Sequence, residues 1–186
     1  IQQVAAAKKK FTAEDVYERG RCTLEKCILN GATHVRTHAE VDPVIGLRGL
    51  EGILSLVDEY RPAVDLEICV FPQEGLLNNP GTDELMIEAL KRGARVIGAA
   101  PYTDSDPRGQ IDRIFEMARE FDADIDMHLD FGPAADNMDL HYVCELTRRF
   151  DRGGRGTGGH VTKLGGATPA QFQHCAVPTA DSGVAP

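Results

Sequence analysis

From Thr12 onward the chain alternates between stretches whose apolar residues recur at helical spacing and shorter stretches that alternate residue by residue. Val16, Tyr17, Leu24, Cys27 and Ile28 predict a helix over Thr12–Asn30, with Thr12 as N-cap ahead of Glu14 and Asp15, and Gly31 as its stop. Thr33–His38 reads as a strand, and Asp42-Pro43 turns the chain into a helix over Leu47–Tyr60 that ends at Arg61-Pro62. In Val64–Phe71 the positions Val64, Leu66, Ile68 and Val70 are aliphatic, while Asp65, Glu67, Cys69 and Phe71 run in phase to Gln73, just past Pro72. That is a strand with one greasy and one polar face. A helix over Thr82–Arg92, a strand over Arg95–Ala100 and a helix over Gln110–Phe121 follow. Within Asp122–Gly132, Ile125, Met127 and Leu129 alternate with Asp124, Asp126, His128 and Asp130, again a strand with one polar face. Met138–Phe150 predicts a further helix, and Gly153–His160 a glycine-heavy strand. Thr168-Pro169 opens a last helical stretch, weakened by Pro178, before Gly183-Val184-Ala185-Pro186, which reads as the opening of another strand.

Strands and helices that alternate through five strands to the threshold of a sixth predict an α/β fold with a parallel sheet. Two architectures remain, an open doubly wound sheet and part of a (β/α)₈ TIM barrel. Strands of an open sheet meet helices on both faces and read as near-continuous apolar runs. Polar strand faces therefore favour the barrel, whose chemistry gathers at the carboxyl ends of its strands. In phase, Gln73, His128 and His160 fall at or just past such ends. A flavodoxin-like open sheet binding a small ligand is the weaker alternative.

The 186 residues and their 42% hydrophobic content predict one globular domain over residues 1–186. A formal charge of −9 argues against nucleic acid or an anionic membrane surface as partner, because both repel it. No apolar run approaches the roughly 20 residues that cross a bilayer and no signal-peptide pattern precedes the first strand, so an intracellular, cytoplasmic protein is expected. The basic run Lys8–Lys10 reads as a solvated helix face. Five cysteines without a C-x-x-C pair read as reduced core thiols. A chain that opens at Ile1 without an initiator Met and closes on an incipient strand is expected to be a fragment, with an irregular tail after residue 165.

The acidic face that ends in His128 needs partners, because an unpaired buried polar group costs on the order of 2–7 kcal/mol. A bound cation would serve all of these groups; the alternative is a pair of solvent-facing aspartates and a satisfied histidine on an edge strand. A metal site at strand ends needs imidazoles and carboxylates that converge while one position stays open to water. His128 supplies one imidazole. His160 supplies a second ligand or a group that orients water and substrate, and Gln73 offers an amide to a polar ring. An imidazole beside a guanidinium is a poor cation ligand, so Arg36 and His38 read as pocket groups, and His34 as no ligand. His141 and His174 read as surface residues, and Asp104 and Asp106 as turn formers. Gly153–Gly159 matches no phosphate-binding loop.

The runs THVRTHAEVDP, VDLEICVFPQEG, IDMHLDFG and GGHVTKL, spread over Phe11–Phe172, resemble successive strand ends of the amidohydrolase superfamily, in particular its cytosine-deaminase-like branch, which includes triazine N-alkylamino hydrolases. The resemblance implies a metal-dependent (β/α)₈ barrel of which this chain holds about strands two to six. It implies Zn²⁺ or Fe²⁺ as cofactor, and hydrolysis of a C–N bond of a small heterocyclic amine or amide by metal-activated water. By this likeness His128 is the metal ligand of the fifth strand and His160 the sixth-strand histidine beside the activated water. Gln73 binds the heterocycle or amide, and Asp130 is an acid or a neighbour of the ligand. The family's first-strand H-x-H pair and eighth-strand aspartate have no counterpart here, and Phe131 stands where cytosine deaminases carry a proton-passing glutamate. The alternative is a catalytically inactive, truncated barrel that binds a partner or self-associates as a homo-oligomer through open sheet edges.

Overall fold

The computed structural model describes residues 2–186 and groups them into two compact units, one ending at Val96 and one beginning at Ile97. The first unit holds α1 (Gln2–Lys8), α2 (Ala13–Leu29), β1 (His34–Glu40), α3 (Arg48–Tyr60), β2 (Asp65–Phe71) and α4 (Thr82–Lys91). Thr12 caps α2 as its sequence predicts, its hydroxyl accepting from the Asp15 N–H at 3.2 Å. β1 and β2 are parallel, in register from His34 opposite Asp65 to Glu40 opposite Phe71. Val64, Leu66, Ile68 and Val70 are buried, as their alternation requires, and Leu50 and Leu56 of α3 are buried with them in this unit's core.

β3 is shorter than predicted, with only Val96–Ile97 in strand geometry. The second unit continues through Ala99, whose carbonyl still accepts from the His128 N–H at 2.8 Å. It then builds α5 (Pro107–Glu120), β4 (Asp124–Leu129), α6 (Asp139–Arg149), β5 (Gly156–His160), α7 (Pro169–Ser182) and β6 (Val184–Ala185). β4 pairs with β5 and β5 with β6, both parallel. The glycines of β5 are partly a packing requirement: a Cβ on buried Gly158 would stand 3.2 Å from Leu129 Cδ1 and 3.6 Å from Leu140 Cδ1. The tail after residue 165 is ordered as α7, started by a Thr168/Gln171 capping box and carrying Pro178 in its interior.

The strands are ordered β1 to β6 as in the chain. A doubly wound sheet reverses its strand order at a switch point, whereas a (β/α)₈ barrel never does. The fold is therefore α/β, a partial (β/α)₈ barrel. Among the described residues no helix is long and apolar enough to cross a membrane.

Three readings of the sequence are corrected. Lys8 is not a solvated residue: its side chain is 2% exposed and its ammonium meets three carboxylates. Cys22 lies exposed on α2, while Cys69, Cys144 and Cys175 are the buried thiols. His141 is half-buried between α6 and α7, its ring centroid 4.8 Å from that of His174 and its Nε2 3.5 Å from Cys175 Sγ.

Candidate active site

At the carboxyl ends of β4 and β5 the register sets His128 opposite Gly159 and Leu129 opposite His160. The two imidazoles meet across the strands, centroids 4.6 Å apart and planes at 66°. His128 is half-buried and His160 exposed, so the pair has one face in the protein and one open to solvent. The backbone that presents them is strained: Asp130, His160 and Val161 have φ of 52°, 69° and 42°. Left-handed non-glycine residues cost about 1–3 kcal/mol each and persist where their surroundings fix them. Here Val161 N–H donates to the Leu129 and Gly159 carbonyls, both at 3.0 Å, and Lys163 N–H to the Asp130 carbonyl at 3.1 Å.

Asp130, expected as an acid or a neighbour of the metal ligand, is buried with both oxygens engaged. Oδ1 accepts from the Asp139 N–H at 2.9 Å and Oδ2 from the Leu140 N–H at 3.0 Å, so the carboxylate closes the N-terminus of α6. Lys163 Nζ stands 3.5 Å from Oδ1. Burial, and then repulsion from Asp130, raise the Asp139 carboxyl above its ordinary pKa.

The rest of the acidic face is served differently from expectation. Asp124 takes the Arg155 guanidinium at 2.6 Å, and Asp122 takes both Arg155 and Arg152, at 2.5 and 3.1 Å. One cation is thus not the partner of every carboxylate on this strand: arginines at the amino end of β5 neutralise those at the amino end of β4, and Asp126, between them and His128, is buried. Phe131, 64% exposed, lies beyond the pair, its ring centroid 6.3 Å from His160 and 6.1 Å from Tyr102.

In the first unit Gln73 lies two residues beyond the end of β2, in the turn Pro72–Gly75 closed by Gly75 N–H to Pro72 C=O at 3.0 Å. Its amide nitrogen is buried without a hydrogen-bond partner. Cross-strand pairs account for the charges of β1, with Arg36 on Glu67 at 2.7 Å and His34 on Asp65 at 3.2 Å, while His38 packs edge-on against Phe71 at 5.4 Å. At the carboxyl ends of these strands Lys8 Nζ contacts Asp42, Glu40 and Glu74 at 2.7, 2.9 and 3.0 Å. Burial pulls the ammonium pKa down, but its bonds to Asp42, Glu40 and Glu74 outweigh that and hold it above its ordinary value. Asp42 is likewise pushed up by burial and carried below 3.8 by Lys8 and by the N–H groups of Ile45 and Val44. Neither this cluster nor the Asp130 cap was legible beforehand. Lys8 opens a run of three identical residues, and nothing in the sequence distinguishes which one turns inward.

His128 and His160 are the right donors for two positions around a borderline cation such as Zn²⁺ or Fe²⁺. Among the described residues, no group of three or more His, Cys, Asp or Glu is arranged to hold a metal ion. The imidazole pair fits part of a ligand set, not a closed one.

No family model matches the chain. It is 27% identical over 160 residues to the N-isopropylammelide isopropyl amidohydrolase of Pseudomonas sp. strain ADP, covering 84% of this chain and 40% of that protein. Among solved structures it resembles the 5-methylcytosine deaminase of Klebsiella pneumoniae liganded with phosphonocytosine, with a TM-score of 0.91 and 27% identity over 98% of this chain and 45% of that one. The N-isopropylammelide isopropylaminohydrolase of Burkholderia multivorans gives a TM-score of 0.78 and 30% identity over 84% of this chain and 41% of that one. The chain thus spans less than half the length of these relatives. In both sequence and fold the chain is similar to enzymes of the cytosine-deaminase-like branch of the amidohydrolase superfamily.

Proposed function

We propose that this chain carries the central strand ends of a metal-dependent hydrolase that cleaves a C–N bond in a small heterocyclic amine or amide, releasing ammonia or an amine. The observation that carries the reading is the His128–His160 pair, two imidazoles 4.6 Å apart on adjacent parallel strands with one face open. His128, the half-buried member, holds the metal, Zn²⁺ or Fe²⁺. Such an ion, when bound, supplies a water whose pKa falls from 15.7 to about 7. His160, the exposed member, would contact the substrate and stabilise the attacked centre by hydrogen bonding to a nitrogen or oxygen on the carbon under attack. Gln73 offers its buried, unbonded amide nitrogen to an acceptor on the ring. Asp130 positions this machinery rather than carrying protons, because both its oxygens are committed to α6.

A second reading, a barrel piece that binds metal or a partner without turnover, is favoured by the absence of a three-ligand cluster among the described residues. The two are separated by incubating the chain with Zn²⁺ or Fe²⁺ and following ammonia or amine release from 5-methylcytosine and N-isopropylammelide. Release that requires metal and disappears in His128→Ala and His160→Ala supports the hydrolase. Metal binding without release from either compound supports the second reading.

A further inference from the structure

Three chain segments of the first unit converge on one buried ammonium. Lys8 ends α1, Glu40 ends β1 with Asp42 in the loop after it, and Glu74 lies in the loop after β2. The ammonium donates hydrogen bonds to Glu40 at 2.9 Å and Glu74 at 3.0 Å and makes an ion pair with Asp42 at 2.7 Å. The cluster carries more negative than positive charge, so it is held together only while Lys8 is at its centre. Asp42 also accepts from Val44 N–H at 2.7 Å and Ile45 N–H at 3.1 Å, which fixes the turn into α3.

Glu74 is the feature that gives this cluster a consequence for chemistry. Gln73 and Glu74 are the two central residues of the turn Pro72–Gly75. The Lys8–Glu74 contact therefore anchors the turn one residue from the Gln73 side chain, inside the loop that Gly75 N–H closes on Pro72 C=O. Gly75 closes the turn at φ 97°, where a Cβ would collide with Asn78 Oδ1, so this turn requires glycine at its last position. We propose that Lys8 is a positioning residue for substrate binding: by gripping Glu74 it fixes the turn that aims the Gln73 amide. The inference rests on the role proposed above for Gln73, and it assigns to a residue far away in sequence the accuracy of that contact.

The test uses the full chain with Lys8→Met, Glu74→Gln, Gln73→Ala and the double variant Lys8→Met/Gln73→Ala, with Lys9→Met as control. Two quantities are read: the side-chain amide ¹H–¹⁵N signals of Gln73, identified by their loss in Gln73→Ala, and the affinity for 5-fluorocytosine by ¹⁹F NMR. Lys8→Met is expected to move or broaden the Gln73 signals and to weaken binding about tenfold, as for one lost hydrogen bond. The double variant is expected to bind no more weakly than Gln73→Ala, because Lys8 acts through Gln73. Glu74→Gln, which keeps Lys8 paired with Glu40 and Asp42, is expected to move the same signals and remains informative if Lys8→Met fails to fold. Unmoved Gln73 signals in the folded variants, or losses of affinity that add in the double variant, overturn the proposal. If Gln73→Ala binds 5-fluorocytosine as the unaltered chain does, the role of Gln73 as a ligand contact falls, and the amide signals alone decide whether Lys8 fixes its orientation.

Discussion

Asp130 and Asp42 are both acidic residues past the end of a strand, and both spend their charge on backbone N–H groups at the start of the next helical segment. A sequence shows such a residue as a carboxylate near the chemistry; only three-dimensional neighbours show that its oxygens are already used. Asp130→Ala leaves two N–H groups of α6 without an acceptor and should cost about 1–3 kcal/mol in urea unfolding. His128→Ala, at a half-buried site whose ring faces solvent on one side, should cost about 1 kcal/mol or less. Asp42 gives a pH signature. Its folded pKa lies below 3.8, so the stability it contributes is fully present above that value and is lost as the pH falls through the folded pKa. Denaturant midpoints measured from pH 6 to pH 2.5 should therefore fall on acidification, and Asp42→Asn should start lower at pH 6 and lose less. An equal slope in the variant would remove Asp42 from this account. The places of His128 and His160 at strand ends, and of Gln73 just past one, were legible because alternation and the following turn formers frame each strand. The αL backbone of His160 and Val161 was not, since no glycine or asparagine marks it.

At the scale of elements, helices with apolar spacing were legible to within a few residues, whereas β3 shrank to Val96–Ile97. The difference is physical: a helix carries its own hydrogen bonds, while a strand's extent depends on neighbours the sequence does not display. α7 is the element with the clearest internal conflict, since Pro178 removes an interior N–H from a helix that begins with a well-formed capping box. Pro178→Ala should raise unfolding stability by on the order of 1–3 kcal/mol, read from the urea midpoint. The packing of α6 on α7 is pH-sensitive. Burial, and then the neighbouring His174, lower the His141 pKa below its ordinary 6.5. A histidine with a depressed folded pKa stabilises the fold above 6.5 and loses that contribution as the pH falls through its folded value. His174→Gln should soften this loss below pH 6.5, measured as the change of melting temperature between pH 7.5 and pH 5.

For the whole molecule, the sequential strand order and the polar carboxyl ends of the strands were both readable, because alternation dictates parallel strands and polar strand faces argue against an open sheet. The cysteines report on both units. Cys22 is exposed and should react with iodoacetamide in the native protein, while Cys69 in the first unit and Cys144 and Cys175 in the second are buried and should react only as each unit opens. Burial also raises the Cys175 thiol pKa, which slows it further. The chain spans less than half of its relatives' length, and what this part is proposed to contribute is a metal-holding imidazole, His128, with His160 beside it. The most direct measurement is a Zn²⁺ titration of the chain and of His128→Ala, followed by equilibrium metal analysis. One ion per chain is expected, readily stripped by a chelator because no group of three or more ligating side chains is arranged around it among the described residues, and lost in His128→Ala. Failure of the unaltered chain to bind Zn²⁺, or equal binding by the variant, would contradict it.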